Sequence, residues 1–128
     1  SLPMAQAQLL LVTEDEARLP DATNLLTRAI TRGPAVRLAS PAEVPAPSFP
    51  LEIRLEPRGG ARLEPSSLRV EYLKNPIVDV TARLTGLVRD GVITAPAVRL
   101  PAGLHRFRVS VTDSEGRTGN AVFEIRAR

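Results

Sequence analysis

Hydrophobic and polar residues alternate most cleanly in the last third of the chain. Phe107, Val109 and Val111 are apolar, and Arg106, Arg108, Ser110 and Thr112 around them are polar. Asp113-Ser114-Glu115-Gly116 breaks the run; after Gly119, Ala121, Phe123 and Ile125 alternate with Glu124 and Arg126. Period two on both sides of an Asp-x-x-Gly turn predicts an antiparallel hairpin with one buried face. Leu51-Glu52-Ile53-Arg54-Leu55-Glu56 alternates without error. Leu68, Val70 and Tyr72 predict another strand, as do Val78, Val80, Ala82 and Leu84 against Asp79, Thr81 and Arg83. Val36 and Leu38 flank Arg37, and Val92-Ile93-Thr94 leads on to Val98 and Leu100. Turn signals separate these runs at Pro57-Arg58-Gly59-Gly60, Asn75-Pro76 and Asp90-Gly91. Ala42 to Pro50 carries Pro45, Pro47 and Pro50, which predicts an extended linker in place of a helix or central strand. The pattern is all-β: about seven short strands forming an antiparallel two-sheet sandwich. Leu51, Ile53, Leu55, Val70, Tyr72, Val80, Leu84, Phe107, Val109, Val111, Phe123 and Ile125 are its expected core.

Residues 1–33 follow another pattern and are read as an N-terminal extension to a sandwich domain at 34–128. After the apolar run Leu9-Leu10-Leu11-Val12, Thr13 and Glu16 have the spacing of a capping box. The helix they start is short, because Pro20 stops it. Asp21 or Thr23 begins a second short helix with Leu25, Leu26, Ala29 and Ile30 at helical spacing. That much apolar surface does not suit a solvated tail. It should cover an open edge or face of the same chain, with a dimer through this segment as the other possibility. Ala5-x-Ala7 has the small-residue pattern of a signal-peptidase site, so residues 1–7 read either as a signal-peptide remnant or as a plain tail.

Composition narrows the class. One domain suits 128 residues. The net charge of +3 comes from 17 basic and 14 acidic residues. Most arginines alternate along strands beside acidic neighbours, as Arg54 does between Glu52 and Glu56. That pattern predicts a solvated strand face and no nucleic-acid partner. No apolar run approaches the ~20 residues of a membrane helix, so no membrane span is expected. With no cysteine and one histidine, the usual zinc sites are ruled out.

Two passages resemble bacterial immunoglobulin-like (Ig-like) domains. One is Leu100-Pro101-Ala102-Gly103-Leu104-His105-Arg106-Phe107 with Val109, Val111, Asp113 and Gly116, which is similar to their last hairpin. The other runs from Pro57 to Tyr72 with Gly60, Leu63, Pro65, Ser66 and Val70. The resemblance covers about residues 34–128 and implies an extracytoplasmic structural or adhesive module without catalytic residues. The chain lacks the core disulfide and core Trp of antibody-type domains. His105 follows Gly103 where such sandwiches place a corner tyrosine that bonds back to backbone. A structural corner histidine is therefore expected, against a titrating or metal-binding one.

The remaining constellations point away from catalysis. His105 and Asp113 lie on one predicted strand, about 26 Å apart if extended, too far for a triad. A copper site would have only His105 and Met4. Gly59-Gly60 joins strands and is no phosphate loop. Asp113-Ser114-Glu115, with Asp79 or Asp90, offers fewer oxygens than the six to eight calcium takes, and reads as a turn. Glu14-Asp15-Glu16 suits a helix N-terminus. Phe49, Tyr72, Phe107 and Phe123 lie at or beside core positions, which leaves few aromatics for a sugar platform. The expectation is a non-enzymatic Ig-like interaction or spacer module of an exported bacterial protein, periplasmic or extracellular. Its partner is another protein or a neighbouring domain. No catalytic, metal or cofactor-binding residues and no cofactor are assigned. A carbohydrate- or small-ligand-binding sandwich module is the alternative.

Overall fold

The computed structural model describes residues 9–22, 33–44 and 48–128. Among the described residues, ten strands form two sheets. β1 (Leu9–Leu10), β2 (Ala35–Leu38), β4 (Ser48–Glu56), β7 (Val88–Arg89) and β8 (Val92–Arg99) make the first, in the order β1-β8-β4-β2 with β7 also on β8. β3 (Glu43–Val44), β5 (Leu63–Tyr72), β6 (Val78–Asp79), β9 (Gly103–Asp113) and β10 (Thr118–Ala127) make the second, in the order β3-β10-β9-β5-β6. Two short helices are found among the described residues, α1 (Glu14–Ala17) and α2 (Thr81–Leu84), the latter running into a 3-10 turn at Thr85–Leu87. The long pairings are antiparallel, while β1 on β8 and β3 on β10 are parallel and two residues long.

The final hairpin forms where the alternation places it. Phe107 pairs with Phe123 and Thr112 with Thr118. Its inward side chains join one core with Leu51, Ile53, Leu55, Val70, Tyr72, Val80 and Leu84, and Phe123 packs half-buried against them. The Asp90-Gly91 turn has both residues at positive φ, 52° and 75°, as a two-residue hairpin between right-twisted strands requires. Gly33 and Gly119 are needed for a different reason. A Cβ on Gly119 would overlap Pro34 O, and one on Gly33 would overlap the Thr118 backbone. The starts of β2 and β10 cross there backbone to backbone, closing one seam of the sandwich.

Two local expectations are corrected. The predicted strand over Val78–Leu84 ends after two residues, and α2 follows. Val80 and Leu84, both fully buried, are four apart, so one helical turn buries them as well as a strand would. The predicted linker before Leu51 is partly strand: β3 pairs with β10, and β4 already begins at Ser48. Pro50 is accommodated because the β4–β8 register shifts between Phe49 and Leu51, and β2 reaches only Ile53 to Glu56. The second N-terminal helix, Met4, the Ala5-x-Ala7 pattern, Pro45 and Pro47 lie outside the described residues.

Residues 9–22, assigned to the extension by sequence, contribute to the sandwich itself. β1 adds to the edge of β8, and Leu11 and Val12 are fully buried in the common core. The capping box forms: Glu16 N–H donates to Thr13 Oγ1 (3.1 Å), and Thr13 N–H donates to Glu16 Oε1 (2.9 Å). Arg83 of α2 grips the segment, donating to both Glu16 carboxylate oxygens at 2.8 Å and to Leu11 O at 2.7 Å. Hydrogen bonding from Arg83 holds the Glu16 carboxyl down at about 2. Further on, Lys74 Nζ donates to Asp21 Oδ1 at 2.7 Å, and Ala22 N–H donates to Leu73 O.

Candidate functional site

His105 sits near the start of β9, 2% exposed. Its Nε2 lies 2.6 Å from Pro101 O and its Nδ1 lies 2.8 Å from the Tyr72 hydroxyl. A carbonyl can only accept, so Nε2 carries the proton and Nδ1 accepts from Tyr72. Both ring nitrogens are thus occupied, one by the backbone of the corner. Burial pushes the imidazole below its ordinary value of 6.5, against the backbone hydrogen bond that favours its charged form. Burial also raises the Tyr72 hydroxyl to about 12. Lys74 Nζ stands 5.5 Å from the Tyr72 ring centroid, and Tyr72 packs against Phe107 at 5.1 Å between centroids. The chain Tyr72–His105–Pro101 ends on a carbonyl, where a proton cannot be passed on. It is a hydrogen-bonded corner.

Asp113, at the other end of β9, is also buried. Its Oδ1 accepts from the N–H groups of Glu115 and Arg117 at 2.9 Å, and its Oδ2 accepts from Arg117 Nε at 3.0 Å. Burial opposes its charge, yet these donors together keep its carboxyl below 3.8. The carboxylate organises the β9–β10 turn, with Glu115 exposed beside it. Asp79 caps the start of α2 by accepting from Thr81 N–H at 2.9 Å. Asp90 stands in the β7–β8 turn. The structure does not bring these acidic residues together, and among the described residues no group of three or more His, Cys, Asp or Glu could hold a metal ion.

Two arginines of the second sheet's outer face, Arg106 and Arg108, meet carboxylates across the strands. Arg106 Nε lies 2.6 Å from Glu124 Oε2, and Arg108 lies 2.9 Å from Glu71. These are cross-strand neighbours in the ladder. Phe49, Tyr72 and Phe107 are buried, leaving no aromatic platform among them.

A groove of about 600 Å³ was not legible in the sequence. It lies at the sandwich end away from His105, where β5 and β7 part. Leu55, Leu63, Leu68, Val88 and Val111 form its apolar lining, and Arg62 and Asp90 are exposed beside it. None of its lining residues is aromatic. Leu63 is out of step with the two-residue period of Leu68, Val70 and Tyr72, because the β5–β9 register shifts between Glu64 and Arg69. Alternation alone therefore gave no signal that they converge.

No protein-family model matches the chain, and no curated protein matches it. Among solved structures, the crystal structure of an engineered protein is similar at a TM-score of 0.47 and 24% identity, over 74% of this chain. The chain spans 20% of that protein's length, and a likeness of this degree carries no argument.

Proposed function

We propose that the chain is a non-catalytic Ig-like interaction or spacer module of an exported bacterial protein. The observation that carries this reading is the use of its most chemically capable side chains. The one imidazole has both nitrogens committed to the corner, and the most buried carboxylate is committed to a turn. A base or nucleophile-activating group needs a free lone pair within reach of a substrate. The cross-strand ion pairs support a solvated face in place of a phosphate-binding one. The aliphatic groove supports the alternative of a ligand-binding module only for apolar ligands, since stacking on sugars needs aromatic faces.

Two experiments test the reading. Immunodetection in fractionated cells of the source bacterium should place the protein in the periplasm or medium; recovery solely from the cytosol would contradict export. Hydrolase, transferase and redox screens on the purified chain should show no turnover. Turnover that falls in His105→Gln would overturn the non-catalytic assignment.

A further inference from the structure

We propose that the groove between β5 and β7 receives a short extended peptide of a partner protein. The peptide adds as a strand to the open edge of β5 and places aliphatic side chains, at alternate positions, on the groove floor. The inference rests on the interaction-module reading and names the chemistry of its partner.

The edge itself supports this occupant. At its upper half β5 is paired by the chain's own β6, Glu71 with Asp79 and Tyr72 with Val78. One residue further, Val70 O accepts from Val80 N–H (2.9 Å), and Val70 N–H donates to Thr81 Oγ1 (2.8 Å). A chain continuing in this direction would run antiparallel down the rest of β5. Instead it turns into α2 at Thr81. Among the described residues no strand pairs with residues 63–69 on that side. By strand alternation Leu68 presents its N–H and C=O on the side where Val70 finds its partners. The opposite wall is another edge, since β7 pairs only with β8.

The groove thus continues the path of β6 with the strand missing. Unpaired edge backbone supplies affinity for an extended segment, and the apolar lining supplies selectivity for its alternate side chains. Arg62 and Asp90 form no ion pair among the described residues, so a segment with an acidic and a basic residue at its two ends complements them. Pro65 lacks an N–H, and the β5 register is broken beside it. Both keep a long strand of a second copy from pairing along the whole edge, which leaves a short segment as the fitting occupant.

The test titrates the isotope-labelled full chain with a capped peptide alternating valine and threonine between a terminal Glu and Lys. A second peptide carries N-methyl groups on alternate amides, which removes the donors of one edge. The expected result is saturable NMR shifts confined to amides 62–69 and 88–91, with slowed exchange at Leu68 N–H. The N-methylated peptide and Leu63→Glu should each weaken binding by at least about tenfold. Should Leu63→Glu fail to fold, Arg62→Glu provides the comparison, with the same direction expected. No saturable shift at millimolar peptide overturns strand addition and leaves the module reading to its own localisation test. Equal binding of the N-methylated peptide makes the groove a general apolar site and also overturns it, as does self-association of the chain through these residues.

Discussion

At the scale of single residues, the polar groups that look reactive in the sequence are fastened to backbone. His105 after Gly103 was legible as a corner residue, but its second partner, Tyr72, is 33 positions away and no local pattern announces it. Because its folded value lies below 6.5, the neutral ring contributes stability above that pH, and this contribution is lost as pH falls through and below 6.5. Long-range nitrogen–proton NMR should show the Nε2–H tautomer persisting at pH 6; an ordinary titration near 6.5 would contradict the corner. His105→Ala leaves the Tyr72 hydroxyl and Pro101 O without partners and should cost roughly 2–4 kcal/mol in denaturant melts. Gly119 shows what sequence conceals. Its need for hydrogen in place of a Cβ comes from Pro34, met across the seam and not along the chain. Gly119→Ala should destabilise by roughly 1–3 kcal/mol, and an unchanged midpoint would show that the crossing is looser than described.

At the scale of elements, the strands that were legible are those long enough to show a period. β4 and β9 alternate over eight or more residues, and their faces follow; β10 does so over its second half. β1 and β3 are two residues long, so they have no period to read and are defined only by the strands they join. Val78–Leu84 was misread because its apolar positions satisfy both a strand and a helical turn. Packing decided for the helix, and the helix carries Arg83 to Glu16. The capping box, by contrast, was readable from Thr13 and Glu16, because all its partners lie within four residues. The clamp between α1 and α2 has a pH signature. The Glu16 carboxyl is ordinary near 4.5 when unfolded and about 2 when folded. Its contribution is therefore complete above 4.5 and lost as pH falls from there toward 2. Glu16→Gln should lower stability by roughly 1 kcal/mol at pH 7, the partial exposure of the pair limiting the effect. The difference between variant and parent should vanish in melts near pH 2; a constant difference would rule out the clamp.

At the scale of the molecule, two sheets share one core, and the segment Leu9–Ala22 is built into it. Fold class was legible because a sandwich writes its buried face into each of its long strands. The groove was not, because it is defined by a strand that is missing and by a register break in β5. The buried Asp113 is satisfied by Arg117 and backbone donors, and the described acidic residues do not cluster, so thermal melts with and without EDTA should coincide; a lower midpoint in chelator would reveal a structural cation. Leu9–Ala22 belongs to the sandwich through β1, the buried Leu11 and Val12, and the Arg83 and Lys74 contacts. Native-state hydrogen exchange measures this directly at Leu11 N–H, which donates to Arg99 O at 3.2 Å. Leu11 should exchange only with global opening, at the same free energy as Val109 in the central strand β9. Exchange of Leu11 at the rate of a frayed terminus, with Val109 still protected, would contradict this.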